Sequence, residues 1–257
     1  MSQALTPADV AVVIPAYNEA ATIVEVVRRA RAQVPRVIVV DDGSTDGTAE
    51  LLGDLDVTVL RNAENSGKGA SIFNGAGQAL ADGAKAIITL DGDGQHQPED
   101  IPRVLTAAGI YPGDIIVASR LRRTENAPPL RLFANRFANF WISWAAGYWI
   151  PDSQSGFRLY PRRVFEEAAV PHNRERSFVF ESEVLIEAAW HGIRSEPVPI
   201  DSVYFQAARP SHYKPTLDTT RIVRMVAWRL LRRGMNPFGL IRVLRALLNM
   251  SGSRAIA

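Results

Sequence analysis

Cysteine is absent from the 257-residue chain. This excludes disulfides, cysteine-ligated zinc and thiol catalysis, and it fits a reducing, cytosolic setting. Histidine is scarce, four in all, and no His-x-x-x-His pair occurs, so a zinc-protease site is not expected. Long apolar runs are missing too. The longest charge-free stretch, Phe137 to Pro151, has 15 residues and contains Asn139, Ser143 and Gly147. A bilayer-spanning helix needs ~20 predominantly apolar residues, so no transmembrane helix is expected. The opening MSQALTPADV has neither the basic nor the apolar segment of a signal peptide. Acid is nearly missing from the C-terminal end. From Lys214 onward nine basic residues face one acid, Asp218, a net +8; with +2 overall, the preceding 213 residues carry −6. An acidic body with a cationic tail points to an anionic partner surface. No nucleic-acid module is readable, which leaves an anionic membrane as the expected partner.

What is present is ordinary globular composition, 47% hydrophobic and 22% charged. Strand and helix alternate through the first 120 residues. Apolar runs at Val10–Pro15, Val37–Val40, Val57–Leu60, Ala86–Leu90 and Ile115–Ala118 read as buried strands. Helical patterns fall at Glu19–Gln33, Thr45–Leu52, Lys68–Ala81 and Pro98–Ala108. This rhythm predicts an α/β fold with a mostly parallel central sheet and helices on both faces. Beyond it come an aromatic-rich helix over Pro128–Trp149, a short strand near Phe157–Tyr160 and helices at Arg162–Ala168 and Glu181–His191. An extended segment at Ile193–Val203 and helices at Leu217–Arg233 and Phe238–Met250 complete the chain. The division expected is a catalytic domain over 1–215 and a basic amphipathic helical appendage over 216–257.

Open parallel sheets bind ligands at the carboxyl ends of their strands. Three polar clusters fall there: Pro15 to Glu19, Asp41 to Thr48, and Asp91 to His96. On extended backbone, residues i and i+2 point the same way, so Asp91 and Asp93 can share a hard divalent cation with Gln95 nearby. Gly92 leaves room for a close approach. Asp-Gly is also a tight-turn signal, and Ser44 or Thr45 is also a good helix N-cap. Tyr17 can stack on a base, and Glu19 can accept its N–H. The segment Asn65 to Gly69 is not a phosphate loop, because Asn62 stands where the first glycine is needed and Gly69 where a Ser or Thr is needed.

The ordered set IPAYNE, VVDDGSTDGT, NSGKGAS, LDGDGQHQPED, ASR and DSQSGFRLY resembles family 2 glycosyltransferases of the GT-A nucleotide-sugar fold. It is most similar to the polyprenyl-phosphate glycosyltransferases of the dolichyl-phosphate mannose synthase group. The resemblance covers roughly residues 9–215. It implies a base pocket of Pro15, Tyr17 and Glu19, with Val40 and Asp42 on the nucleoside. It places Asp91 and Asp93 on a Mg²⁺ or Mn²⁺ ion and the diphosphate, with Gln95 as a further ligand. Arg120, and Arg209 and Lys214 in ARPSHYKP, belong to the diphosphate; that last motif departs from the Gly-x-Ser-Lys usual in the mannose synthases. The implied donor is a GDP- or UDP-sugar, and the implied reaction is inverting transfer to a lipid-linked acceptor at the cytoplasmic membrane face.

A lipid phosphate acceptor is already an anion and needs no base. A hydroxyl acceptor needs one within ~3 Å. Asp152, Glu181 and Glu183 are the available carboxylates, with Asp152 expected near the acceptor. The tail segment RIVRMVAWRLLRR, with five arginines interleaved with Trp228 and aliphatic residues, reads as an interfacial helix or as one docked on the domain. A sugar nucleotidyltransferase would need a glycine- and basic-rich triphosphate loop near the N-terminus, which IPAYNE is not. A non-catalytic nucleotide-sugar binder would not require both Asp91 and Asp93.

Overall fold

The computed structural model describes residues 4–119, 129–168, 170–171, 179–200 and 215–254. The sheet has seven strands in the order β3-β2-β1-β4-β6-β5-β7. They are β1 (Val10–Ala16), β2 (Val37–Asp41), β3 (Thr58–Arg61), β4 (Ala86–Thr89), β5 (Ile115–Ser119), β6 (Arg158–Pro161) and β7 (Ser195–Pro199). Every pairing is parallel except those of β6, which runs antiparallel between β4 and β5. The helices are α1 (Ile23–Arg31), α2 (Lys68–Ala81), α3 (Ile101–Ile110), α4 (Pro129–Ala146), α5 (Arg162–Glu167), α6 (Phe180–Trp190), α7 (Pro215–Arg232) and α8 (Pro237–Arg254). This is the mixed α/β GT-A architecture, mostly parallel as the alternation predicts.

Strand β1 is apolar along its length because both of its faces are covered. Val10, Val12 and Ile14 join one core with Ile23, Val26 and Val27 of α1 and Ile101 and Val104 of α3. Ala11 and Val13 turn to the other face, against Ala76 and Ala79 of α2. Fully burying each such Val or Ile contributes roughly 1.5–3 kcal/mol. Helix α2 lies close to the sheet at Gly75, where a Cβ would stand 2.5 Å from Val13 Cγ1 and 2.9 Å from Val40 Cγ2. A further core on the α2 side joins Ile142 of α4, Val184 of α6, and Met225 and Leu230 of α7. The tail helix α7 therefore shares a core with the domain.

Two expected helices are shorter than their patterns. Residues 45–52 form a single 3-10 turn, Glu50–Leu52, rather than a helix, and α1 begins at Ile23 rather than Glu19. In both segments polar side chains take loop amides as partners, which competes with helical hydrogen bonding.

Candidate active site

The loops after β1, β2 and β4 are stitched into one rim. After β1, Asn18 sits at φ +59°, the left-handed region that Asn tolerates. Its backbone N–H donates to Ser44 Oγ at 2.9 Å, and its side-chain oxygen accepts from Thr45 N at 2.8 Å. The next amides continue the pattern: Glu19 N donates to Thr48 Oγ1 (2.8 Å) and Ala20 N to Asp46 Oδ2 (3.1 Å). Ser44 and Thr45 thus tie one loop to another instead of capping a helix. The third loop joins through Thr22 Oγ1, which donates to Gly92 O at 2.6 Å. Gly92 makes the approach possible, since a Cβ there would lie 3.3 Å from Glu19 Cγ and 3.5 Å from Pro15 O. The room at Gly92 is taken by Glu19 and Pro15. In this way Pro15, Glu19, Gly92 and the Asp91–Gln95 loop share one edge of the sheet.

Asp91 is the hub. Its Oδ1 lies 2.5 Å from Lys68 Nζ, at the first residue of α2, and Lys68 also donates to Glu181 in the first turn of α6. The antiparallel pairing of β6 with β4, Thr89 opposite Arg158, lays the preceding Asp152–Phe157 loop across the same rim. Thr89 Oγ1 donates to Gly156 O at 2.7 Å. Arg158, fully buried, holds that loop by donating to Ser155 O (2.7 Å) and Ser153 O (2.9 Å), and holds α6 by donating to Glu181 O (2.6 Å). Burial works against the Lys68 ammonium, but the Asp91 and Glu181 carboxylates outweigh it and hold its pKa above the ordinary lysine range.

Lys68, Arg158 and Gly156 are the residues that sequence reasoning missed. Lys68 sat inside a motif rejected as a phosphate loop. Arg158 and Gly156 lay inside DSQSGFRLY without an assigned role.

Other expected site residues fall in varied places. Pro15, Tyr17 and Glu19 are half-buried on the rim. Asp93 accepts from Gln95 N at 2.9 Å, and both residues are half-buried beside Asp91. Val40 has a side chain fully buried against α2, because the alternation of β2 turns residues 38 and 40 to that face. Asp42 is buried, and its carboxylate is engaged by Asn62 Nδ2 (2.7 Å), Ser66 N (2.9 Å) and Gly67 N (2.8 Å), so it clasps the loop leading into α2. Asp152 accepts from Ser119 Oγ (2.9 Å), Gln154 N (3.0 Å) and Ser155 N (3.1 Å), which fixes its own loop. Glu183 is buried and paired with Arg229 of α7 at 2.9 Å. Arg120, Arg209 and Lys214 lie outside the described residues.

Among the described residues no group of three His, Cys, Asp or Glu side chains makes an all-protein cage. Asp91 and Asp93 instead supply two half-buried hard carboxylates on a rim that also bears the Lys68 cation. That suits magnesium or manganese, which take one or two carboxylates and complete their shell from substrate phosphate oxygens. The residues fit such an ion bound together with a diphosphate.

Known proteins resemble this chain in sequence and in fold. The profile of Glycosyl transferase family 2 matches residues 11–168, from β1 through α5. The chain belongs to that family. It is 32% identical over 200 residues to the polyprenol monophosphomannose synthase of Mycolicibacterium smegmatis, covering 74% of this chain and 75% of that one. It is 29% identical over 213 residues to the UDP-N-acetylglucosamine–dolichyl-phosphate N-acetylglucosaminyltransferase of Methanococcus voltae, covering 75% and 84%. Among solved structures it resembles mannosyl-3-phosphoglycerate synthase of Rubrobacter xylanophilus, with TM-score 0.64 and 18% identity over 88% of this chain and 75% of that one. Glucosyl-3-phosphoglycerate synthase of Mycobacterium tuberculosis, in complex with Mn²⁺, UDP-glucose and phosphoglyceric acid, gives TM-score 0.63 and 19% identity over 88% and 79%. These two likenesses establish the GT-A fold, and the family membership makes the chain a glycosyltransferase.

Proposed function

We propose that this family 2 enzyme transfers a sugar, with inversion, from a GDP- or UDP-sugar to a polyprenyl phosphate at the inner face of the cell membrane. The observation that carries the proposal is the stitched rim itself, which gathers Glu19, Asp91, Asp93, Lys68 and Glu181 at the carboxyl end of the sheet. The polyprenyl-phosphate enzymes among its relatives support the acceptor class. The cationic tail supports the inner leaflet, whose anionic lipids attract basic segments.

In the reaction an acceptor phosphate oxygen forms a bond to the anomeric carbon from the face opposite the leaving group. The bond from that carbon to the diphosphate oxygen breaks, and the nucleoside diphosphate departs with the electron pair. The chain's task is to hold the two anions in line and to offset the charge that builds on the leaving group. Pro15, Tyr17 and Glu19 line the base end of the rim. Asp91 and Asp93, with Gln95 beside them, would hold a Mg²⁺ or Mn²⁺ ion, which when bound neutralises diphosphate charge. Arg158 keeps the Asp152–Phe157 loop and Glu181 in register with Asp91. No general base is required for a phosphate nucleophile.

The test is release of nucleoside diphosphate from a panel of sugar nucleotides in the presence of polyprenyl phosphate, with and without Mn²⁺ or Mg²⁺. Turnover should depend on the ion and fall at least 100-fold in Asp93→Ala. An Asp93→Ala enzyme with full activity sinks the assignment.

A further inference from the structure

The tail forms two consecutive helices, α7 and α8, which both pack on α4 and each present an inner and an outer face of opposite chemistry. The inner face of α7 places Met225, Val226 and Leu230 in the domain core, and Val243 of α8 is fully buried. The turn between the helices is fastened by Trp144 of α4, whose indole N–H donates to Met235 O at 2.8 Å. The arginines divide between the two faces. Arg229 is buried and paired with Glu183 and Glu187, and Arg233 stacks on Trp190 with its guanidinium 3.9 Å from the ring centre. Arg229 is thus withdrawn from any partner, while Arg233 keeps part of its surface in solvent.

The outer face keeps Arg224 and Arg232 on α7 and Arg242 and Arg245 on α8, all exposed. Between them stand large apolar side chains in solvent: Trp228 (57% exposed), Leu231 (64%), Phe238 (74%) and Leu248 (71%). Scattered apolar residues on a surface are ordinary; four large ones on two consecutive helices, each beside exposed arginines, are not. Asp218, at the start of α7, is the one acid on these two helices, and from residue 219 to the end the sequence contains no Asp or Glu. No described helix is long and apolar enough to cross a membrane.

We propose that the exposed sides of α7 and α8 dock on an anionic lipid bilayer, with Trp228, Leu231, Phe238 and Leu248 entering the interface and the four outward arginines meeting headgroup phosphates. Apolar side chains with arginines beside them match an interfacial helix, in which guanidinium groups reach the headgroups while the stems stay with the apolar residues. The inference deepens the membrane part of the proposed function and rests on that reading for its biological setting. The inner sides of both helices pack on α4, which sets the orientation of the enzyme on the surface.

The experiment is co-sedimentation of the full chain with vesicles of phosphatidylcholine, alone or with phosphatidylglycerol. Binding should require phosphatidylglycerol and weaken as salt rises. Leu231→Ser with Phe238→Ser and Leu248→Ser should lower partitioning at least tenfold. Arg242→Gln with Arg245→Gln should lower it roughly fivefold per charge. Both variants should keep the wild-type Tm and the metal-dependent thermal shift given by a sugar nucleotide. That shift reads donor binding in solution, so failure of the reaction assignment is seen separately. Vesicle binding that ignores the apolar substitutions overturns the inference. So does a chain that ignores vesicles, whether it sediments as a monomer or as a dimer dispersed by Phe238→Ser; the dimer would make this face a contact between two copies.

Discussion

Gly156 and Asp91 are packed so closely that a Cβ on Gly156 would stand 2.7 Å from Asp91 Oδ2, with Lys68 Nζ only 2.8 Å away. The atoms met are ends of side chains rather than backbone, so the fold can absorb an alanine by moving the Asp91–Lys68 pair. Gly156→Ala should therefore leave the Tm close to wild type while reducing kcat/KM at least tenfold, about 1.4 kcal/mol of transition-state stabilisation. Full activity in this variant would mean that the position of Asp91 does not matter to turnover.

Lys68 keeps Asp91 and Glu181 together from opposite sides of the rim. Lys68→Met leaves two partly buried carboxylates without their cation, and stability should fall by about 1–3 kcal/mol. Saturating Mn²⁺ should then raise the Tm of the variant more than that of the wild type, because no ammonium competes for Asp91 Oδ1. Differential scanning fluorimetry with and without the ion checks this; an equal Mn²⁺ shift in both proteins argues against a metal at Asp91.

The parallel half of this molecule was legible because β1, β2 and β4 are covered on both faces and so appear as unbroken apolar runs. The rim was legible as three polar clusters, since topology alone brings strand ends together. The antiparallel insertion of β6 between β4 and β5 was not, because a four-residue strand carries no signal of direction or neighbour. That insertion delivers Gly156 to Asp91 and Arg158 to Glu181, so their roles were hidden with it. Arg229 looked like one more surface arginine because its partners, Glu183 and Glu187, lie more than forty positions away.

Asp152 separates the two acceptor classes. Its carboxylate is engaged by Ser119 and by two backbone amides, and Asn can reproduce these contacts, with its carbonyl accepting the amides and its NH₂ facing the serine oxygen. Asp152→Asn should thus fold normally. With a polyprenyl phosphate acceptor it should keep activity within tenfold of wild type. A hydroxyl acceptor served by Asp152 as general base would lose about 10²–10⁴-fold. Initial rates of Asp152→Asn on a polyprenyl phosphate and on a matched polyprenyl alcohol distinguish them.

Arg229 meets Glu183 and Glu187 almost out of solvent, with its guanidinium also 5.0 Å from the Trp190 ring centre. Removing one member of a buried ion pair costs about 3–5 kcal/mol, because the remaining charge is left without a partner. Arg229→Met should show a loss of that size in urea unfolding. The triple change Arg229→Met, Glu183→Leu, Glu187→Leu should recover most of it, since it leaves no charge buried. If Arg229→Met and the triple variant are equally destabilised, the loss lies in packing of α7 rather than in the ion pairs. Vesicle binding gives a second readout: the outward arginines are untouched, so the triple variant should still sediment with anionic lipid.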